Sequence, residues 1–228
     1  MSRNPDDVTA GVARTRERIS AAAARAGRDA ADVEIVAAVK YLDADDLPLL
    51  HAAGITRVGE NRTDQLLAKQ EAYGDLFTWD FIGHLQSRKV KEIAGRVSLI
   101  HSLSTESTAQ QIATRSPAPQ EVLIEVNTAA DPSKEGVAPD DLDAFLELLA
   151  PLGDVVVTGL MTMPAFAEDP EQSRAAFAAL RELAARSAER WAGTHRFDRL
   201  SMGTSQDFEV AVEEGATLVR AGSVLLQP

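Results

Sequence analysis

Lys40 is the residue whose type and position most clearly point to chemistry. It directly follows a short apolar run from Glu34 to Val39, which is rich in β-branched residues and free of turn residues. Such a run is typical of a buried strand. A lysine on the rim of a concave site is partly desolvated, and desolvation favours the neutral amine, which is a nucleophile. The simpler interpretation is a lysine whose ammonium group reaches water from the strand end.

Two later stretches combine glycine with hydroxyl side chains and contain the other candidate binding residues. They are Ser201-Met202-Gly203-Thr204-Ser205 and Arg220-Ala221-Gly222-Ser223. Glycine lets backbone N–H groups approach an anion closely, and serine and threonine hydroxyls add further donors. Each stretch alone is weak evidence for a phosphate site, so its meaning depends on where the fold places it.

The elements that must position these residues alternate along the chain. Eight short apolar runs predict strands: Glu34 to Val39, Ile55 to Gly59, Thr78 to Ile82, Val97 to His101, Glu121 to Asn127, Val155 to Leu160, Phe197 to Ser201 and Thr217 to Arg220. Helical patterns lie before and between them: Val8 to Ala26, Asp43 to Ala53, Asn61 to Tyr73, Gln86 to Ala94, Thr105 to Thr114, Asp140 to Ala150, Pro170 to Trp191 and Ser205 to Glu214. This alternation predicts an α/β fold, a single (β/α)8 TIM barrel with an extra N-terminal helix.

Barrel closure gives Lys40 its expected neighbours. Strand one lies beside strand eight in a closed barrel, and functional side chains come from the carboxyl ends of the strands. The loops after strands seven and eight, followed here by a short helix at Val224 to Gln227, are the usual phosphate cradle of this fold. A lysine that can form a Schiff base beside a phosphate cradle is what pyridoxal 5′-phosphate (PLP) requires.

Composition limits the classes of function. Of the 228 residues, 45% are hydrophobic and 25% charged, which is typical of a soluble globular protein, and we expect one domain over residues 1–228. The net charge of -12 argues against a nucleic-acid-binding surface, and the absence of cysteine excludes disulfides and thiolate metal sites. The polar first residues predict a cytoplasmic protein without a signal peptide or membrane span. The histidines have no partner at metal-ligand spacing, so no metal site is expected.

Six segments resemble the pyridoxal phosphate homeostasis protein family, whose barrel is similar to the alanine racemase N-terminal domain (PLP fold type III). They are Ala37-Ala38-Val39-Lys40, Val58-Gly59-Glu60-Asn61-Arg62, Phe81-Ile82-Gly83-His84-Leu85-Gln86, Gly159-Leu160-Met161-Thr162-Met163, Leu200-Ser201-Met202-Gly203-Thr204-Ser205-Gln206-Asp207 and Ala216-Thr217-Leu218-Val219-Arg220-Ala221-Gly222-Ser223. The resemblance implies that Lys40 holds PLP as a Schiff base, that Arg220 faces the pyridine nitrogen and that Asn61 lines the pocket. It implies a phosphate site made by Ser201, the Met202 backbone, Gly222 and Ser223.

Three positions depart from the family pattern. Val39 stands where a serine or threonine usually precedes the lysine, and Arg88 takes the place of a common asparagine. The tail Leu225-Leu226-Gln227-Pro228 differs from the usual Ile-Phe-Gly ending. The first departure concerns the immediate surroundings of Lys40.

The function implied by the resemblance is homeostasis of PLP inside the cell. The protein would buffer the cofactor or deliver it to apo PLP-dependent enzymes, as a monomer with no committed substrate chemistry. Two other classes remain open. One is a PLP-dependent amino-acid racemase or decarboxylase, and the other is a cofactor-free barrel enzyme that acts on a sugar phosphate with Lys40 as its catalytic amine.

Racemisation at a useful rate is not expected. Racemases of this barrel type take a tyrosine base from a separate C-terminal β domain, whereas this chain ends eight residues after Arg220. Tyr41 follows Lys40 along the chain, so strand alternation predicts that its side chain points away from the site. A cation beside the pyridine nitrogen also disfavours ring protonation, which makes the ring a poorer electron sink.

Overall fold

The computed structural model describes residues 3–129 and 135–227, so Pro228 of the tail lies outside the described residues. The strands are β1 (Glu34–Ala38), β2 (Arg57–Glu60), β3 (Thr78–Phe81), β4 (Leu99–Leu103), β5 (Gln120–Glu125), β6 (Val155–Met161), β7 (Arg199–Thr204) and β8 (Leu218–Ala221). The α-helices are α1 (Pro5–Arg25), α2 (Leu47–Ala52), α3 (Thr63–Tyr73), α4 (Val90–Ile93), α5 (Glu106–Arg115), α6 (Leu142–Leu149), α7 (Arg174–Arg190) and α8 (Phe208–Glu213). Short 3-10 segments precede several helices, and another, Ser223–Leu226, follows β8.

The strands form one closed parallel barrel in sequence order. Closure is made by the pairing of β1 with β8, in which Val36 lies opposite Arg220 and Ala37 opposite Ala221. The predicted (β/α)8 barrel is therefore confirmed. Each crossover helix covers the outside of the sheet, so all the carboxyl ends of the strands open on the same face.

Helix α1 precedes β1 and packs against α2, α8 and the 3-10 segment after β8. It begins after Asn4, whose side chain accepts a hydrogen bond from the Asp6 N–H at 3.1 Å. The contact with the chain end is close, because a Cβ atom at Gly11 would lie 2.6 Å from the Leu225 carbonyl oxygen. The extra N-terminal helix thus covers the place where the first and last strands meet.

The inside of the barrel contains an apolar layer and a polar layer. Buried apolar side chains fill the first: Val36, Leu99, Leu123, Met161 and Leu218. Buried polar side chains from β3, β4, β7 and β8 form the second: Asp80, His101, Ser201 and Arg220. Because polar groups are costly to bury without partners, this second layer requires internal hydrogen bonds.

Strand β7 ends at Thr204, three residues later than the sequence patterns predict. The residues that read as a loop form a bulge, since the pairing of β7 with β8 shifts register between Ser201 and Thr204. Gly203 has a positive φ of 86°, and a Cβ atom there would lie 2.5 Å from the Ala211 Cβ of α8. The glycine therefore serves close packing of α8 on the barrel, and Ser201 becomes part of the barrel interior.

None of the helices in the described ranges combines the length and the apolar character that crossing a bilayer requires.

Candidate functional site

A cavity of about 570 Å³ opens at the carboxyl ends of the strands. The predicted site residues that line it are Lys40, Asn61, Arg220, Gly222 and Ser223. Its remaining walls come from Ala38, Tyr41, Ile82, Gly83, His84, Ser102, Glu125, Glu135, Met161, Met163, Phe166, Thr204, Ser205 and Gln206. Ser201 and Met202 are not among the lining residues, because both are fully buried within β7.

Lys40 lies in a tight turn directly after β1. The Leu42 N–H donates to the Val39 carbonyl oxygen at 3.0 Å, which places Lys40 and Tyr41 at the tip of the turn. The Val39 side chain packs in the hydrophobic core, so its departure from the family pattern lies outside the cavity wall.

The expectation that Tyr41 points away from the site was wrong. Its ring lines the same cavity, and the Lys40 Nζ atom lies 4.8 Å from the ring centroid. Strand alternation does not apply here because β1 ends at Ala38 and both residues belong to the turn. A cation over an exposed aromatic ring gains about 0.5–1 kcal/mol, so Tyr41 holds the ammonium group only weakly.

Asn61 reaches the cavity from the end of β2. The loop after β3 packs directly against it, since a Cβ atom at Gly83 would lie 2.3 Å from the Asn61 carbonyl oxygen. The same loop is held from the other side by the Ser102 hydroxyl, which donates to the Gly83 carbonyl. A glycine is therefore required at position 83 to keep Asn61 in its place on the wall.

Ser205 joins the loops after β7 and β8. Its hydroxyl oxygen accepts hydrogen bonds from the N–H groups of Gly222 at 2.8 Å and Val224 at 3.4 Å. Asp207 fixes the start of this loop, because its carboxylate accepts from the Thr204 N–H at 2.7 Å. Two backbone donors thus converge on one oxygen atom at the cavity wall.

Arg220 is a buried cation at the inner end of the cavity. Its Nη1 donates to the Ser201 hydroxyl at 2.5 Å and its Nη2 donates to the Thr162 carbonyl at 2.9 Å. Burial lowers the pKa of Arg220 to about 10, although Glu125 and Asp207 oppose that change. The guanidinium therefore keeps its charge near neutral pH, and its orientation is fixed by the two hydrogen bonds.

A chain of hydrogen bonds continues from Arg220 through the barrel. Ser201 Oγ lies 2.9 Å from His101 Nδ1, and His101 Nε2 lies 3.1 Å from Asp80 Oδ2. Arg57 donates to both oxygens of Asp80, at 2.9 and 3.1 Å. Because the Asp80 carboxylate can only accept, a neutral His101 carries its proton on Nε2 and donates it to Asp80, and its bare Nδ1 accepts from the Ser201 hydroxyl.

The electrostatics of this chain keep His101 neutral. Burial lowers the pKa of His101 below its usual range, and the charges of Arg220 and Arg57 act in the same direction. The hydrogen bond and the charge of Asp80 oppose this change. A histidine whose pKa lies below its usual range is neutral near pH 7, so His101 carries no charge there.

Glu125, at the end of β5, is an acidic residue that lines the cavity. Burial raises the pKa of Glu125, and repulsion from Glu135 adds to it, whereas Arg220 and His84 act in the other direction. The His84 imidazole Nδ1 contacts a carboxylate oxygen of Glu135, and both residues line the cavity. Glu125 was not named from the sequence. Ser205 ends the glycine- and hydroxyl-rich stretch that the sequence places after strand seven, but of that stretch only Ser201 and Met202 were named as phosphate ligands.

Comparison of the sequence with known proteins identifies the family of this chain. The family model for the alanine racemase N-terminal domain matches residues 12–227. The pyridoxal phosphate homeostasis protein of Aquifex aeolicus is 41% identical over 218 residues, which cover 94% of this chain and 95% of that protein. This chain belongs to the pyridoxal phosphate homeostasis protein family.

Solved structures extend the comparison for this family member. PipY of Synechococcus elongatus, solved with PLP bound, is 31% identical with a TM-score of 0.77, and the match covers 86% of this chain and 92% of PipY. Alanine racemase from Corynebacterium glutamicum has a TM-score of 0.75 at 15% identity, covering 98% of this chain and 62% of the racemase. The second likeness shows the shared barrel fold, PLP fold type III.

The buried neutral His101 predicts a specific dependence of stability on pH. The unfolded chain protonates this histidine below about pH 6.5, whereas the folded protein resists protonation. Above about pH 6.5 His101 does not affect the free energy of unfolding. As the pH falls below that value, protonation of His101 in the unfolded chain lowers the free energy of unfolding by up to about 1.4 kcal/mol per pH unit. The measurement is urea denaturation of wild type and His101→Gln at several pH values on both sides of that point. Wild type should show the steeper loss, and equal slopes would contradict the assignment.

Proposed function

We propose that this protein binds PLP, holds it as a Schiff base on Lys40, and buffers or delivers it as a single-domain monomer in the cytoplasm. The observation that supports this best is the joint position of Lys40, Arg220 and the Ser205–Gly222 contact around one cavity. PLP supplies an aldehyde, a pyridine nitrogen and a phosphate, and the cavity offers an amine, a cation and a set of N–H donors for the three. The apo PLP-dependent enzymes are the proposed recipients.

The phosphate end fits the loops after β7 and β8. The N–H groups of Gly222 and Val224 donate to the Ser205 hydroxyl oxygen, so the proton of that hydroxyl is left to donate to a phosphate oxygen. Ser223 is exposed beside them and lines the cavity. Because the whole protein is acidic, these local dipoles must attract the anion rather than the overall field. We therefore assign the phosphate to Ser205, Gly222 and Ser223, and we remove Ser201 and the Met202 backbone from the set because neither residue lines the cavity.

The ring end fits Arg220. Its hydrogen bonds to Ser201 Oγ, the Thr162 carbonyl and Met163 Sδ use three of the five guanidinium N–H groups, which leaves two donors for a ring nitrogen in the cavity. A fixed cation at that point keeps the nitrogen unprotonated, because a second positive charge nearby is unfavourable. The protein then binds the cofactor without promoting carbanion chemistry on it, which suits storage better than turnover.

The mouth of the cavity suits exchange of the bound group. Tyr41 is 73% exposed and Phe166 is 82% exposed, and Lys40 itself is accessible to solvent. An incoming amine can therefore reach the lysine without any rearrangement of the barrel. The homeostasis names of the relatives support the same function.

A racemase or decarboxylase is the second candidate, and the position of Tyr41 favours it. The phenol lies beside Lys40, so a second acid–base group is available in the cavity. The racemase-like barrel alone does not decide between the two candidates, since one fold carries many functions.

The Lys40→Ala variant should lose the visible absorption band that PLP gives with the wild-type protein, because no other lysine lines the described cavity. The measurement is a spectrophotometric titration with PLP, with circular dichroism to confirm that the variant is folded. Retention of the band by Lys40→Ala would contradict the role of this lysine. A wild-type protein that gives no band would favour the cofactor-free sugar-phosphate enzyme.

Ser205→Ala and Ser223→Ala should weaken binding of PLP and leave binding of unphosphorylated pyridoxal nearly unchanged. Each hydroxyl bound to a dianionic phosphate contributes roughly 1.5–3 kcal/mol. Ser201→Ala is the matched control, and it should affect both ligands equally because Ser201 contacts Arg220 rather than the cavity. Calorimetric titration with the two ligands checks this. A selective loss of PLP affinity in Ser201→Ala would contradict this assignment and support the phosphate role of Ser201 that the family resemblance implies.

The wild-type protein with PLP should not exchange the α-hydrogen of alanine at an enzymatic rate. The assay follows deuterium incorporation into L- and D-alanine by NMR, with Tyr41→Phe as the paired variant. Exchange in the wild type near the enzyme median of about 10 per second, lost in Tyr41→Phe, would favour the racemase. A rate close to that of free PLP supports the homeostasis function.

A further inference from the structure

A second lysine lies directly behind Lys40, sealed from solvent. Lys69 on α3 is 3% exposed, and Glu60 at the end of β2 is fully buried. The Lys69 ammonium donates to one carboxylate oxygen of Glu60 and forms an ion pair with it. A second hydrogen bond runs from the same Nζ to the Val39 carbonyl oxygen, at 2.7 Å.

Lys69 bonds the backbone of Val39, the residue before Lys40, and Glu60 bonds the backbone of the cavity residue Asn61. The Val39 carbonyl is the acceptor that closes the turn carrying Lys40, so Lys69 and the Leu42 N–H share one oxygen. The second carboxylate oxygen of Glu60 accepts from the Asn61 N–H at 2.8 Å. The pair therefore joins the turn after β1 to the residue after β2.

Stability alone does not explain the presence of this pair. Removing two charges from water is costly, and apolar side chains of similar size often stabilise a core as well or better. A buried ion pair does supply fixed, directional hydrogen bonds. Here one joins Lys69 to Glu60, a second joins Lys69 to the Val39 carbonyl, and a third joins the Asn61 N–H to Glu60. A hydrophobic contact could not replace this pair, because it would not form hydrogen bonds to the backbone at Val39 and Asn61.

We propose that Lys69 and Glu60 are positioning residues that fix the Lys40 turn and Asn61 for reaction with the PLP aldehyde. The inference rests on the proposed function, because it concerns the same site. Lys69 is not an alternative nucleophile, since its ammonium is buried against Glu60 and does not line the cavity.

The step that depends on this placement is the addition of the Lys40 amine to the aldehyde. The nitrogen lone pair forms the bond to the aldehyde carbon, and water leaves as the carbon–nitrogen double bond forms. The ammonium proton passes to solvent, and no oxidant or reductant takes part. The rate of such a step depends strongly on how often the amine occupies the correct position.

The test uses the double variant Lys69→Met/Glu60→Gln. The glutamine amide oxygen still accepts from the Asn61 N–H, and methionine replaces the lysine stem without a charge. The double variant thus has no buried charge at this place and loses the hydrogen bond from Lys69 to Val39. Leu146→Ala on α6 is the matched control, because it removes buried packing on the outside of the barrel.

Three quantities are measured for each protein: the thermal midpoint, the rate at which the visible band appears on mixing with PLP, and the affinity for 4′-deoxypyridoxine 5′-phosphate. The last compound has the ring and phosphate but no aldehyde. We expect the double variant to form the band at least tenfold more slowly, with its affinity for the deoxy compound changed less than threefold. Leu146→Ala should lower the midpoint and leave the rate unchanged.

The outcomes separate the two proposals. If the double variant and wild type form the band at the same rate, the positioning role is wrong while the proposed function stands. If Leu146→Ala slows the band as much as the double variant does at a similar midpoint, the effect is one of stability and the positioning role is again wrong. If wild type forms no band, the proposed function itself fails.

Discussion

The pairing of β1 with β8 is the contact on which the site depends. Lys40 and Gly222 are far apart in sequence, and they meet because the first and last strands exchange backbone hydrogen bonds along Glu34 to Ala37. A Cβ atom at Gly222 would lie 3.4 Å from the Ala38 carbonyl oxygen, so the loop after β8 lies against the end of β1. An open sheet with the same elements would leave the Lys40 amine and the N–H donors of the loop after β8 at opposite edges.

Within the closed barrel, two sets of buried polar groups fix the positions of the residues that line the cavity. One set reaches from Arg57 through Asp80, His101 and Ser201 to Arg220, and the other consists of Lys69 and Glu60. In a low-dielectric interior a hydrogen bond is stronger and an unpaired group is more costly, so such sets are rigid. The first set orients the cation at the inner end of the cavity, and the second holds the segments that carry the amine. The barrel supplies the position of each strand end, and these polar groups supply the finer orientation.

Much of this architecture was predictable from the sequence, because it depends on local patterns. The eight strand patterns, the closed barrel and the place of Lys40 follow from periodicity and from the rule that function lies at strand ends. The role of Ser201 did not follow, since Gly203 reads as a turn and forms a bulge inside β7. The direction of Tyr41 was missed because the end of β1 decides it, and strand ends are the least certain part of a sequence-based prediction.

The buried contacts of Lys69 and His101 could not be predicted from one sequence, for a different reason. Lys69 reads as an ordinary surface residue of a helix, and His101 is one of four histidines that have no partner at metal-ligand spacing. Their contacts join residues 30 and 100 positions away, Val39 and Ser201, so no local spacing reveals them. Only the packing of α3 on the barrel and the inward alternation of β4 bring these groups together.

The central claim is that the cavity at the strand ends captures PLP through one particular amine. It is tested most directly by reduction of the PLP-loaded protein with borohydride, followed by proteolysis and mass spectrometry of the peptides. We expect one phosphopyridoxyl group per chain, on the peptide that contains Lys40 and on no other. Modification spread over several exposed lysines, or concentrated at Lys69, would contradict it.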